Sequence, residues 1–199
     1  MTFDDFKSLL MSDRSVRRFD ASFVVDEATL RKLVGLTRYC ASGRNIQPLK
    51  YRLVYKEEEK NKVFPLLKWA GYYQDWDGPS VSERPSAYIV QCLDTDISSA
   101  LLCDDGLHLQ AISLGATALG LSGCIIKAFD AEKVKQELAL PDNIKPLYVY
   151  AIGKGAEKVM IVDLEEGGDY KYFRGENDEQ CVPKRSENSL ILKKKEGLL

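Results

Sequence analysis

A chain of 199 residues with 45% apolar content can bury a full core as one domain. Its 28 basic and 30 acidic side chains leave a formal charge of −2, with a basic excess only in the tail Lys193-Lys194-Lys195, which reads as a solvated end, so neither nucleic acid nor an anionic membrane is favoured as a partner. Five cysteines show no CxxC and no metal-ligand spacing with His108, the only histidine, a pattern that suits thiols buried as small hydrophobes in a reducing cytoplasm.

The chain opens Met-Thr-Phe-Asp-Asp-Phe-Lys, acidic and polar, without the basic-then-apolar order of a signal peptide. Phe3 to Met11 is predicted as a short helix. Arg14-Ser15-Val16-Arg17-Arg18-Phe19-Asp20 follows, a guanidinium-rich cluster suited to an anion such as phosphate, because the planar Arg fork donates two parallel charge-assisted hydrogen bonds. Asp26 reads as the cap of a second helix, with Leu30, Leu33, Val34 and Thr37 at i, i+3, i+4 and i+7. That helix delivers the turn Ala41-Ser42-Gly43-Arg44-Asn45-Ile46-Gln47-Pro48. Gly43 lets backbone approach closely there, and the amides of Asn45 and Gln47 each set a donor beside an acceptor, as the edge of a flat heterocycle requires.

Tyr51 to Tyr55 has strand composition, and Glu57 to Ala70 reads as a helix interrupted by Pro65. Trp69, Tyr72, Tyr73 and Trp76 crowd the next stretch, either as a mobile lid or as local packing. Ala87 to Leu93 and Leu147 to Gly153 are near-continuous apolar runs that suit a sheet covered on both faces. Between them, a long apolar helix starts at Asp104 and breaks at Gly120 to Gly123 into a short extended piece. Asp104, Asp105, His108, Gln110 and the glycines make Leu107 to Ile126 a buried helix rather than a membrane span, with His108 a core or interface histidine. Asp130 to Leu140 is a further helix, and beyond Asp169 the chain reads as polar loop until Glu187 to Leu192. The alternation predicts a single layered domain over 1–199, with a possible excursion at 65–84.

Four of these segments, namely Arg14 to Asp20, Ala41 to Pro48, the Asp104 helix with the loop after it, and Pro183-Lys184-Arg185, stand in the order of the nitroreductase family and resemble it. The resemblance implies an α+β fold of three layers, a central, mostly antiparallel sheet flanked by helices. It also implies an intertwined homodimer with FMN at each subunit interface. Arg14, Ser15 and Arg17 match the motif that contacts the phosphate, ribityl chain and pyrimidine end, with Arg17 at the ring edge, where a cation stabilises the charge gathered on reduction. Ser42, Gly43, Asn45 and Gln47 match the motif lining the cofactor. Ile125, Ile126 and Lys127 match the loop whose main chain lies along the ring, and Lys184 or Arg185 the terminal basic element over the phosphate.

Asp13 stands where many relatives carry a basic residue, Leu49 where an aromatic often follows, and Lys127-Ala128 where acidic residues or glycine are common. The implied reaction is ping-pong hydride transfer from NADH or NADPH through flavin N5 to a small-molecule acceptor such as a nitroarene or quinone. No side chain is cast as a catalytic residue or a metal ligand. Two alternatives use the same flavin site: a specialised dehydrogenase or dehalogenase of one metabolite, and a non-catalytic flavin-binding redox sensor.

Overall fold

Residues 1–192 are described in the computed structural model, and the lysine tail lies outside them. The chain begins with α1 (Phe3–Ser12), started by a capping box in which Thr2 Oγ1 accepts from the Asp5 N–H and the Asp5 carboxylate accepts from the Thr2 N–H. After β1 (Phe19–Asp20), α2 (Glu27–Gly35) is capped by Asp26, whose carboxylate accepts from Thr29 and is thereby held below the usual range. Then come β2 (Leu49–Val54), α3 (Glu57–Val63), β3 (Ala87–Asp94), α4 (Asp104–Ala118), β4 (Ser122–Ile126) and α5 (Ala131–Glu137). The last elements are β5 (Ile144–Gly155), β6 (Val159–Asp163), β7 (Phe173–Arg174), β8 (Gln180–Lys184) and α6 (Glu187–Leu190).

The central sheet is antiparallel throughout: β2 pairs with β3, β3 with β5, and β5 also with β4 and β1. Successive side chains of a strand point to opposite faces, so β3 feeds two cores. Tyr88, Val90 and Cys92 join Val134 of α5, Leu138 at its C-cap and Val63 of α3 on one face. Ala87 and Ile89 join Leu30 and Leu33 of α2 and Leu109, Ile112 and Ala116 of α4 on the other. Helices, sheet and helices thus form three layers, and β3 is buried on both faces from Ala87 to Leu93 as its apolar run predicts.

The turn from α4 into β4 explains the glycine pair. Gly120 takes φ of +70° while the Leu121 N–H reaches back to the Ala116 carbonyl at 2.9 Å, a left-handed helix stop that glycine adopts without strain. Gly123 is required for space instead, since a Cβ there would sit 2.2 Å from the Tyr150 ring.

Two expectations are corrected. The helix predicted over Glu57 to Ala70 ends at Val63, and Phe64–Leu66 forms one 3-10 turn around Pro65, which cannot donate the bond a continuing helix needs. Leu67 instead bridges Phe129, and the Lys68 N–H donates to the Ala128 carbonyl at 2.9 Å. The stretch read as loop beyond Asp169 holds β7 and β8, which with β6 build a second, three-stranded sheet. Its β6–β8 pair is parallel, Val159↔Gln180 to Asp163↔Lys184, and no tight turn marks a pairing whose partners lie some twenty residues apart. Among the described residues no helix is long and apolar enough to cross a membrane.

Candidate functional site

Four distant segments line one cavity of about 260 Å³: Asp13 to Ser15 with Arg17, α4 through Gln110 and Ser113, β4 through Gly123 and Ile125, and the small sheet through Val159, Gln180, Val182 and Lys184, with Tyr172 ahead of β7. The Val16 N–H donates to the Gly123 carbonyl at 2.9 Å, and Ser15 bridges Gly123, so the arginine segment is laid along the start of β4. Val16 is buried, which turns its neighbours Ser15 and Arg17 to the other side, as the alternation of an extended chain requires.

Arg14 Nη2 donates to the Leu10 carbonyl at 2.9 Å, at the end of α1, while its buried Nε has no partner. The Arg17 N–H donates to the Glu157 carboxylate, and its guanidinium lies 4.8 Å from the centre of the Tyr172 ring. Glu157, nearly fully buried, is ion-paired with Arg174 at 2.8 Å. Asp13 is spoken for: its carboxylate accepts from Gln110 at 2.7 Å, Ser113 at 2.5 Å and Thr117 at 3.3 Å, all on α4. The lining therefore holds three cations, Arg14, Arg17 and Lys184, against one carboxylate that faces helix donors.

Across Arg17, Ile125 and Tyr172, which line both spaces, a second cavity of about 170 Å³ is walled by Lys68 to Gly71 and Cys124 to Ala128. Lys127 Nζ donates to Tyr148 Oη at 3.1 Å and lies 5.0 Å from the centre of that ring.

The remaining expected residues lie elsewhere in the chain. Ser42, Asn45 and Gln47 line a third cavity, of about 290 Å³, with Cys40, Tyr51 and His108. This turn is fastened to the start of α4: Asp104 accepts from Ser42 Oγ and, at 3.0 Å, from the Gly43 N–H. Burial raises the Asp104 carboxyl, but the hydrogen bonds from Ser42 and the backbone outweigh it and leave the group below its ordinary value. Arg44, Asn45 and Gln47 take φ of +52°, +57° and +55°, left-handed backbone that costs non-glycine residues of order 1 kcal/mol or more each. The Gln47 N–H bound to Ser42 Oγ at 2.9 Å and the Gln47 amide bound to Asn45 Oδ1 at 3.0 Å hold it.

Tyr51 and His108 form a partly buried pair beside this turn, Oη to Nδ1 2.7 Å. Burial pushes the tyrosine up to about 12 and the imidazole down, so a protonated phenol donates to a neutral ring.

Within the chain, then, Arg14, Ser15, Arg17, Ile125 and Lys184 meet at the first cavity. Ile126 and Lys127 line the adjoining one with Arg17, and Ser42, Asn45 and Gln47 are set apart. Gly43 packs against the Leu102 side chain, 2.5 Å from where a Cβ would lie, and Arg185 is exposed just past β8 and lines none of the three. Sequence reasoning missed Tyr172 and Lys68 at the first two cavities, Glu157 behind Arg17, and Asp104 under the third. The short apolar run Val159-Met160-Ile161-Val162 was the one available signal for the small sheet that brings Lys184 in.

The sequence model of the Nitroreductase family matches residues 10–92 and 94–154, more than half of the chain. Solved structures share the fold. A protein assigned as an NADH dehydrogenase/NAD(P)H nitroreductase from Parabacteroides distasonis superposes with a TM-score of 0.64 at 24% identity, over 77% of this chain and 89% of that one. A nitroreductase family protein from Clostridium novyi gives 0.64 at 22% identity, over 75% and 86%, and one from Streptococcus pneumoniae 0.64 at 20%, over 78% and 92%. The class defined is that of general flavin oxidoreductases. This chain belongs to the nitroreductase family.

Proposed function

We propose that the chain is an FMN-dependent NAD(P)H oxidoreductase that works as a homodimer with flavin at the subunit interface. The carrying observation is the convergence of Arg14, Ser15, Arg17, Ile125 and Lys184 on one cavity whose cations exceed its single, fully engaged carboxylate. The residues fit the cofactor: Arg14 brings a buried Nε with no partner, and Lys184 a second cation, toward a phosphate dianion. Arg17 supports the pyrimidine edge, Ile125, Ile126 and Lys127 offer main chain along the ring, and Arg185 is available just beyond β8. The chemistry FMN supplies when bound is two-electron: hydride in from NADH or NADPH, and two electrons out to a nitroaromatic, quinone or similar acceptor.

A dimer accounts for the separation of Ser42, Gly43, Asn45 and Gln47 from the first cavity, since the partner's turn would complete the lining. Exposed apolar side chains support an interface: Phe3, Phe6 and Met11 on α1, and Leu107 of α4 with Leu119 just beyond it. We read residues 1–199 as one domain with 65–84 as the acceptor wall, in a reducing cytoplasm, to which five free thiols are suited.

The test is reconstitution with FMN, desalting, and anaerobic addition of NADH or NADPH. A retained flavin band that bleaches supports the reading. Retained flavin that does not bleach favours the specialised dehydrogenase or the binding protein, and loss of all flavin overturns the cofactor.

A further inference from the structure

We propose that Gln180 is a further cofactor-binding residue, whose side-chain amide donates to a carbonyl oxygen of the flavin's pyrimidine edge, and that Tyr73 positions that amide. The inference rests on the flavin reading and adds to it a residue outside the segments that the family's sequence model matches.

Gln180 opens β8, is fully buried and lines the first cavity. Its amide has an accepting end and a donating end. The Tyr73 O–H donates to Oε1 at 2.7 Å, and burial raises the phenol, which keeps it protonated and donating. Among the described residues, the buried Nε2 has no partner. A buried N–H left unpaired bears its full desolvation cost, so a donor on the wall of a binding cavity calls for an acceptor brought by what binds there.

The amide is held in place. The Tyr73 N–H donates to the Ala70 carbonyl at 2.8 Å, its ring meets Tyr172 edge-on with centres 5.3 Å apart, and the Arg174 guanidinium lies 5.3 Å from the ring's centre. Because Tyr73 takes up the carbonyl side of the amide, Nε2 is the side left for the cofactor.

Strand geometry says which end of the cofactor it meets. Gln180, Val182 and Lys184 alternate along β8 and all line the cavity, and at roughly 3.3 Å per residue the first and last stand about 13 Å apart. Lys184 is given to the phosphate. Gln180 stands at the opposite end of the strand, where Tyr73 touches Tyr172 and Tyr172 lies against Arg17, the residue given to the ring edge. A donor fixed there stabilises the negative charge that the pyrimidine edge gathers on reduction.

The experiment measures the Kd of FMN and of riboflavin, which lacks the phosphate, by flavin fluorescence, together with the midpoint potential of the bound flavin. Gln180→Met keeps the length of the side chain and loses the donor. It should weaken FMN and riboflavin alike, about tenfold, and make the potential more negative. Lys184→Gln should weaken FMN far more than riboflavin. Tyr73→Phe should weaken both flavins about threefold, and the double variant Tyr73→Phe with Gln180→Met should bind no worse than Gln180→Met alone. Thermal melts of the unloaded proteins check folding. Should Gln180→Met fail to fold, Tyr73→Phe, at a half-buried side chain, decides: equal loss of both flavins supports the proposal and loss of neither overturns it. Unchanged affinity and potential in a folded Gln180→Met, a loss confined to FMN, or additive losses in the double variant would also overturn it. Failure of the flavin reading is seen separately, as a parent protein that binds neither FMN nor riboflavin.

Discussion

Ser113 donates its hydroxyl hydrogen to Asp13 at 2.5 Å, and so ties the end of α1 to the middle of α4 beneath the proposed phosphate cavity. Tyr150 approaches the same hydroxyl at 3.3 Å, and Gln110 and Thr117 also donate to the carboxylate. An acid where relatives carry a base is thus a structural fastener here. Asp13→Ala should leave half-buried hydroxyls unpaired and cost about 1–3 kcal/mol. It should also remove the cavity's one negative charge and tighten FMN by roughly fivefold, about 1 kcal/mol. Thermal melts of the unloaded protein and flavin-fluorescence titration read the two opposite effects; a variant that loses both stability and FMN affinity would separate Asp13 from the phosphate.

Arg17→Ala should lower FMN affinity about tenfold or more, because it removes a charged donor shared by the first two cavities. Arg18, next in sequence, pairs instead with Asp178 and Glu83. Arg18→Ala should leave FMN affinity within about twofold and change stability by only about 0–1 kcal/mol. Unchanged flavin content in Arg17→Ala would remove that residue from the site.

Gly123→Ala places a methyl group against the Tyr150 ring at 2.2 Å, and both residues sit on paired central strands that cannot part freely. The expected cost is about 1–3 kcal/mol, seen as a lower Tm in scanning calorimetry. A Tm equal to that of the parent would show that the contact relaxes.

His108 carries a pH prediction. Burial holds its imidazole below the ordinary 6.5, so the unfolded chain takes up the proton first as pH falls. The stability contributed by neutral His108 is whole above pH 6.5 and drains away as pH drops through the lowered folded value. Tm should therefore decline between pH 8 and pH 5 more steeply in the parent than in His108→Phe, with parallel slopes counting against the assignment.

Local signals in the chain carried a good deal. The caps at Asp26 and Asp130, the stop at Gly120, and the apolar runs of Ala87 to Leu93 and Leu147 to Gly153 marked helices and strands close to where they lie, because each depends on hydrogen bonding or burial within a few residues. The small sheet was not legible, since β6 and β8 owe their pairing to each other and not to their composition. Nor was Tyr172, which reaches Arg17 only because that sheet folds back over β4.

By itself the sequence determined a layered domain of helices and strands, since periodicity and caps are local properties, and it offered guanidinium and amide groups of the kinds that suit an anion and a flat ring. Tertiary structure alone decided which of those residues meet. It gathered Arg14, Arg17 and Lys184 at one cavity, set Asn45 and Gln47 at another, turned Asp13 toward α4, and left Lys68 facing Lys127. Such juxtapositions depend on long-range pairing and packing, where the energy of a contact belongs to two distant segments at once and neither one encodes it alone.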